Sequence, residues 1–351
     1  MPIVAVSRTA RLYRLAVLWG LLLGLLSSGA SRPGLSHAEP VVIKFATLAP
    51  EGTPWMNIME EMNREVQDKS AGQVMFRFYA GGVAGDERDV IRKIRINQLH
   101  GGALSGFGLG DIVAAVRVLE LPQLFQSSAE ADHVATALFE SLAADFAQKG
   151  FVLLTLNEAG AVYLFSKEPL RSKADMARAK LWTWQGDPLP LAVFKAYGIT
   201  PVPLSLPNVL PSLQSGLIDA CYGTPLTILA LQWFTRVKYR TDISITNVMG
   251  ALLLSDALWQ QLTPEQRTLL REAVQKFNAK AVATMRQYES KAVTLLQQTA
   301  GIETVTVPAE EVTRIQSVSA QVREELSDTL YPRALLERVL ALRDAYRQQQ
   351  R

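Results

Sequence analysis

A chain of 351 residues has room for more than one hydrophobic core, because single cores stop growing near roughly 250–300 residues. A hydrophobic content of 48% with 20% charged residues excludes a disordered chain. Arg8, Arg11, Arg14 and Arg32 lie in the first 38 residues without any acid, and taking them from 36 leaves 32 basic residues against 33 acidic, a balance that excludes a nucleic-acid surface.

The first three of those arginines precede an apolar run, Leu15–Leu26, followed by small residues, which is the pattern of a secretory signal peptide. The run is too short to span a bilayer, which takes about 20 residues. Cleavage is expected after Ala38, where strand-like sequence begins soon afterwards, or after Ala30. The expected destination is the periplasm. Cys221 is the only cysteine, so no internal disulfide can form there.

Val41–Thr47 reads as a first strand, and Thr53-Pro54 opens a helix running to Asp68, with Thr53 at the N-cap and Pro54 at N1. Gln73–Tyr79 alternates with period two, as a strand does. A glycine-rich turn, 80–85, is followed by Asp86 capping a helix that ends near Asn97. That turn carries neither a Walker lysine nor GxGxxG spacing, so it reads as a turn and not as a phosphate cradle. Gly101–Gly106 resembles a short buried strand leading into a loop, Leu121–Phe125 an extended connector, and Glu130–Lys149 a helix stopped by Gly150. Phe151–Leu156 and Ala161–Phe165 follow as strands.

The most informative stretch is Lys180–Thr224. Strand Lys180–Trp184, helix Leu189–Tyr197 with Gly198 as its C-cap, a strand at 201–203, helix Pro207–Ser215 and strand Leu217–Tyr222 follow in close succession. Such alternation predicts parallel pairing with right-handed crossovers, and ligands of open α/β sheets sit at the carboxyl ends of the strands. Trp182, Trp184 and Tyr222 lie at or near those ends. Beyond it, Pro225–Phe234 is expected to be helical, Tyr239–Thr246 and Ala251–Ser255 to be strands, and Pro264–Thr299 to be one helix far longer than the average of about 11–12 residues. Ile302–Val307 returns as a strand before two amphipathic helices, Pro308–Glu325 and Tyr331–Gln349.

No catalytic constellation stands out. His100 and His133 have no second ligand at metal spacing, no GxSxG or SxxK is present, and Cys221 sits in an apolar strand pattern as a small buried hydrophobe. An exported α/β chain of this kind reads as a binding protein, not an enzyme, with neither cofactor nor metal expected.

Over nearly the whole region beyond residue 38 the chain resembles the solute-binding proteins of tripartite ATP-independent periplasmic (TRAP) transporters. The resemblance is carried, in the family's order, by KFATLAPEGTPW (44–55), SAGQVMFRFYAGGVAGDERDVIRKIR (70–95), LPQLF (121–125), SKEPLRSKADM (166–176), GITPVPLSLPNVLPSLQSGLIDA (198–220) and WQQLTPEQRTLL (259–270). It implies a two-domain, periplasmic-binding-protein-like α/β fold with crossover strands and a long connecting helix at 264–299. The first domain would comprise 39–160 with part of 240–300, and the second 161–239 with part of 240–350. It also implies capture of a small ligand, usually an anion, for delivery to TRAP-type permease subunits in the membrane.

Several departures bear on that ligand. The family's Lys-Ile-Arg, whose arginine pairs with the substrate carboxylate, is Lys180-Leu181-Trp182 here. An indole has one N–H donor and no charge, and cannot replace a bidentate guanidinium. The family's Glu and Tyr in the following helix are Asn208 and Leu210, and its arginine before the SKEP-like segment has no counterpart in Gly160–Tyr163. A site so altered favours a less polar ligand than a dicarboxylate, held by Trp182, Trp184, Asn208, Tyr222, Trp55 and Trp233. The alternative reading is a periplasmic carrier of lipid-like molecules working with other periplasmic proteins.

Overall fold

The computed structural model describes residues 39–350. The expected signal segment, with both cleavage sites, lies outside these residues. In chain order the elements are β1 (Val41–Ala46), α1 (Pro54–Lys69), β2 (Val74–Tyr79), α2 (Glu87–Arg95), β3 (Gly101–Ser105), α3 (Gly106–Ile112), α4 (Ser128–Gln148), β4 (Phe151–Leu153) and β5 (Asn157–Ser166). Then come α5 (Lys173–Arg178), β6 (Trp182–Trp184), α6 (Pro188–Tyr197), β7 (Val202–Leu204), α7 (Val209–Ser215), β8 (Ala220–Gly223), α8 (Pro225–Ala230), β9 (Tyr239–Thr241) and β10 (Thr246–Ser255). The last elements are α9 (Asp256–Gln261), α10 (Pro264–Ala300), β11 (Glu303–Val305), α11 (Ala309–Glu325) and α12 (Arg333–Gln349).

Helix starts follow the sequence chemistry. Thr53 caps α1 with Pro54 behind it, Asp86 forms a capping box with Asp89, and Thr263 forms one with Gln266 at the head of α10. Gly198 and Gly216 take left-handed conformations that end α6 and α7.

Nine strands form one sheet in the order β11-β9-β5-β10-β3-β1-β2, with β4 also on β10 and β8 also on β5. β1 runs parallel to β2 and β3, whereas β10 is antiparallel to β3, β4 and β5. The two ten-residue strands hold the assembly together. β10 pairs with β5 over Thr246–Gly250 and with β3 over Gly250–Leu254, while the far end of β5 pairs with β8 and β9. A register shift between Asn247 and Met249 interrupts the β5–β10 ladder beside the cavity described below.

α10 is 37 residues long and touches two separate cores. Its first half packs Leu270, Val274 and Phe277 with Ile43, Phe45, Met62 and Phe76, and near its end Leu296 joins Phe165, Trp182, Leu213, Ile228 and Trp233.

Two local expectations are corrected. β6 and β7 pair in parallel, but β8 touches that ladder only through a single Leu181–Ala220 bridge and pairs antiparallel with β5, whose long edge offers more hydrogen bonds. The segment after β3 is a helix and not a loop. Glycine opposes helix formation, yet Gly106, Gly108 and Gly110 stand where a Cβ would collide with Glu120, Glu87 and Arg117 respectively. Three absent side chains make space for three buried charged ones.

Candidate functional site

A cavity of about 1190 Å³ opens against the middle of α10. Its wall is drawn from the β1–α1 loop, β3, β5, β6, β8, α8, β10 and the stretch Phe277–Val293 of α10. Trp55, Trp182, Trp184, Tyr222 and Trp233 all line it. Asn208 does not: its side chain is exposed and donates to Ser205 Oγ at 2.8 Å. The resemblance that put Asn208 in the place of the family's Glu does not bring it to this cavity's wall.

The aromatic residues form a layer. Trp182 stacks on Tyr222 with centroids 4.7 Å apart, meets Trp233 edge-on at 5.6 Å and tilts against Trp184 at 5.9 Å. Trp184 stacks in turn on Phe107 at 4.7 Å. Their polar atoms are already engaged. Trp182 Nε1 donates to the Leu204 carbonyl at 3.0 Å, and Trp184 Nε1 donates to Asp86 Oδ2 at 2.9 Å. The Trp184 amide donates to the Tyr222 hydroxyl at 3.2 Å, and burial pushes that hydroxyl's pKa up. Trp182, only 1% exposed, therefore offers the cavity a ring surface and no free donor. Trp55 is half-buried and packs on the core around Phe45.

Charged side chains, absent from the sequence expectation, surround this layer. Glu87 is buried and accepts from the Ser105 amide at 2.7 Å, the Ser105 hydroxyl at 2.9 Å and the Gly108 amide at 2.7 Å, while burial raises its pKa to about 7. Glu158 accepts from Asn247 Nδ2 at 2.9 Å and from the Gly160 amide at 3.0 Å. Glu289 accepts from the Leu226 amide at 3.2 Å, and burial raises its pKa to about 7. Behind Trp184 and Tyr222 lies a smaller chamber of about 160 Å³, walled by residues such as Met176, Leu181, Phe194 and Ile199. Arg117 borders it, donating to both Asp187 oxygens at 3.0 and 2.8 Å and also to Glu120. Burial works against the Arg117 charge, but the two carboxylates outweigh it and hold the guanidinium above its usual pKa.

Among the described residues, the basic side chains on these two walls are Arg286 and Arg117, and both are ion-paired, Arg286 with Asp132. None forms an open fork for a carboxylate. No group of His, Cys, Asp and Glu among the described residues is arranged to hold a metal ion. Cys221 is fully buried and burial pushes its thiol up, away from nucleophilic use. Trp182 and Trp184 were legible from their alternation on one strand. Glu289 was not, because a lone acid in a long, highly charged helix has no periodic signature.

A mixed α/β fold with a long helix laid along a large interior cavity is the architecture of an extracellular solute receptor. The chain belongs to the bacterial extracellular solute-binding proteins, family 7, whose model matches residues 45–329. The C4-dicarboxylate-binding periplasmic protein DctP of Rhodobacter capsulatus is 24% identical over 311 residues, covering 87% of this chain and 91% of that one. The sugar acid binding protein DctPAm of Advenella mimigardefordensis, solved with galactonate, superposes with a TM-score of 0.81 at 19% identity, covering 88% of this chain and 99% of the other. A TRAP periplasmic solute binding protein of Actinobacillus succinogenes, solved with L-galactonate, gives a TM-score of 0.79 at 22% identity, covering 87% and 100%. The likeness read from the sequence thus holds at the level of family and fold. The family is one of binding proteins, not enzymes. No helix among the described residues is long and apolar enough to cross a membrane.

Proposed function

We propose that this protein is the periplasmic receptor of a TRAP-type transport system, enclosing a solute in the cavity against α10 and delivering it to membrane permease subunits. In this reading the two α/β domains expected from the sequence are linked by the long strands β5 and β10 and by α10. They close on the ligand, and binding selects the closed form through the added contacts.

The observation that carries the reading is the wall itself. It is largely aromatic and aliphatic, with buried carboxylates among its polar members, is roomy enough for a small molecule, and its one basic side chain among the described residues, Arg286, is already paired. The ligand is less polar than a simple dicarboxylate. It is held chiefly by apolar contact with Trp55, Trp182, Trp184, Tyr222 and Trp233, at about 25 cal/mol per Å² of buried apolar surface.

The test is native mass spectrometry of the purified protein, followed by calorimetry with whatever molecule it releases. A one-to-one adduct supports the receptor. A long-chain amphiphile as that adduct would favour the carrier reading, which the apolar chamber behind Trp184 also suits. A protein that neither carries nor binds any solute would rule out both.

A further inference from the structure

The chamber behind Trp184 and Tyr222 has a volume of about 160 Å³. It lies between β5, the first residues of β10, and the helices α6 and α11. Protein interiors are close-packed, and few of their voids exceed a water molecule. An apolar space of about 150 Å³ stays dry and takes up a guest of benzene size.

The polar side chains on the chamber wall are turned toward protein partners. Ser105 Oγ donates to Glu87 Oε2 at 2.9 Å, Thr246 Oγ1 to the Glu120 carbonyl at 2.6 Å, and Ser319 Oγ to the Ile315 carbonyl at 2.7 Å. Asn247 Nδ2 donates to Glu158, and Arg117 is paired with both Glu120 and Asp187. The Tyr197 hydroxyl and Arg117 Nε have no partner, but both are closed off even from water, so neither meets a guest. What remains is hydrocarbon and ring surface, from Leu164, Leu181, Val193, Phe194, Ile199 and Val318. A water placed there would lack the two to four polar partners, about three on average, that hold buried water.

The chamber is a separate compartment from the larger cavity. Five residues line both spaces and form the partition between them: Ser105, Val162, Trp184, Tyr222 and Val248. Val248 sits at the register shift between Asn247 and Met249, where the β5–β10 ladder is interrupted. The partition is braced, because Trp184 is bonded to Asp86 and Tyr222 to the Trp184 amide.

We infer that this chamber is a second binding site, distinct from the solute cavity, for a neutral apolar molecule about the size of a benzene ring. It excludes charged molecules, since its wall has no unpaired ion to receive them. The inference goes beyond the receptor reading and holds whether or not the larger cavity captures a transported solute.

The experiment is titration of the full chain with benzene, benzoate and benzylammonium, followed by the methyl resonances of isotope-labelled protein. Benzene should give saturable shifts at Leu181, Val193, Ile199 and Val318, which line the chamber and not the larger cavity. Benzoate and benzylammonium should bind there at least about ten-fold more weakly, because an unpaired charge is costly to bury. Val193→Phe puts a ring into the space from α6 and should abolish the benzene shifts at the other three residues. Val318→Phe does the same from α11 and takes its place if the first variant fails to fold by circular dichroism. Absence of saturable shifts at these methyls overturns the inference, as does benzoate or benzylammonium binding there as tightly as benzene. Unchanged benzene binding in a folded Val193→Phe or Val318→Phe variant overturns it too. So do benzene shifts confined to Leu229 and Val282, which line the larger cavity alone. A protein that captures no transported solute removes the receptor reading and leaves this one standing.

Discussion

The Trp184 indole donates to the Asp86 carboxylate at 2.9 Å, joining residues 98 positions apart. The same Asp86 oxygen accepts the Leu206 amide at 3.2 Å, and the other oxygen accepts the Glu87 amide at the head of α2. Nearby, Arg88 reaches the carbonyls of Gln185 and Gly186, and Arg117 reaches Asp187. One short stretch of chain, 86–117, thereby grips the turn after β6 from several points.

If these contacts hold the closed form, loosening them should open the protein. Asp86→Ala removes a cap, about 1 kcal/mol, along with two long-range bonds, each about 1–3 kcal/mol for a charged acceptor. Trp184→Phe removes only the indole N–H bond and part of the ring. Thermal melts should show a large loss for the first and a smaller one for the second, and small-angle scattering should show a larger radius of gyration for both. An unchanged radius in both would mean that these bonds stabilise the fold without setting its closure.

Trp182 is a structural anchor as well as a piece of wall. Trp182→Ala should cost about 3–5 kcal/mol of stability, the range for large aromatic residues in cores. Trp182→Arg should be at least as damaging, since a guanidinium there would replace a ring packed on Tyr222 and Trp233 without gaining a carboxylate partner. Urea unfolding measures both. A loss below about 1 kcal/mol for the alanine variant would show that the aromatic layer repacks freely.

Much of this was legible in the sequence. The caps at Thr53 and Asp86, the stop at Gly198, and the alternation of Trp182 and Trp184 are local signals with local causes. The pairing of β8 with β5 was not, because sheet partners are chosen by distant strands competing for the same edge. The Gly106-Phe107-Gly108-Leu109-Gly110 helix reads as a loop until Glu87, Arg117 and Glu120 are seen to occupy the space its missing side chains leave. Asn208, taken from its alignment with a family Glu, has an exposed side chain bonded to Ser205, because a position in an alignment does not fix which way a side chain points.

Arg117, Asp187 and Glu120 form a buried ionic cluster, and breaking it should be more harmful than replacing it. Arg117→Met leaves two carboxylates without their cation and should cost about 3–5 kcal/mol. Adding Asp187→Asn and Glu120→Gln should recover part of that loss, because no buried charge is then left unpaired. A set of chemical denaturation curves for the single and triple variants decides it. Strictly additive losses would mean that the three side chains do not act as a unit.

Glu289 ties stability to pH. Its folded pKa, raised to about 7 by burial, lies above the ordinary value of 4.5, so the folded protein binds the proton more tightly than the unfolded chain does. Its contribution to stability is fully present below about pH 4.5 and is lost as pH rises through about 7. Glu289→Gln removes that dependence. The empty variant should melt at a higher temperature than the parent at pH 8 and show a flatter stability profile between pH 5 and 8. Parallel profiles for the two proteins would place the carboxylate in contact with water.

The most direct measurement is identification of the molecule that the protein itself retains. Native mass spectrometry of protein purified from a periplasmic extract, followed by denaturation, should release a single small molecule with an apolar body and no dicarboxylate. Calorimetry with that molecule should show saturable binding, and the same titration read by fluorescence should change the emission of Trp55, Trp182, Trp184 and Trp233, which line the cavity. Succinate, malate and galactonate should give no heat. Tight, saturable binding of any of those three, or release of a dicarboxylate from the purified protein, would contradict it.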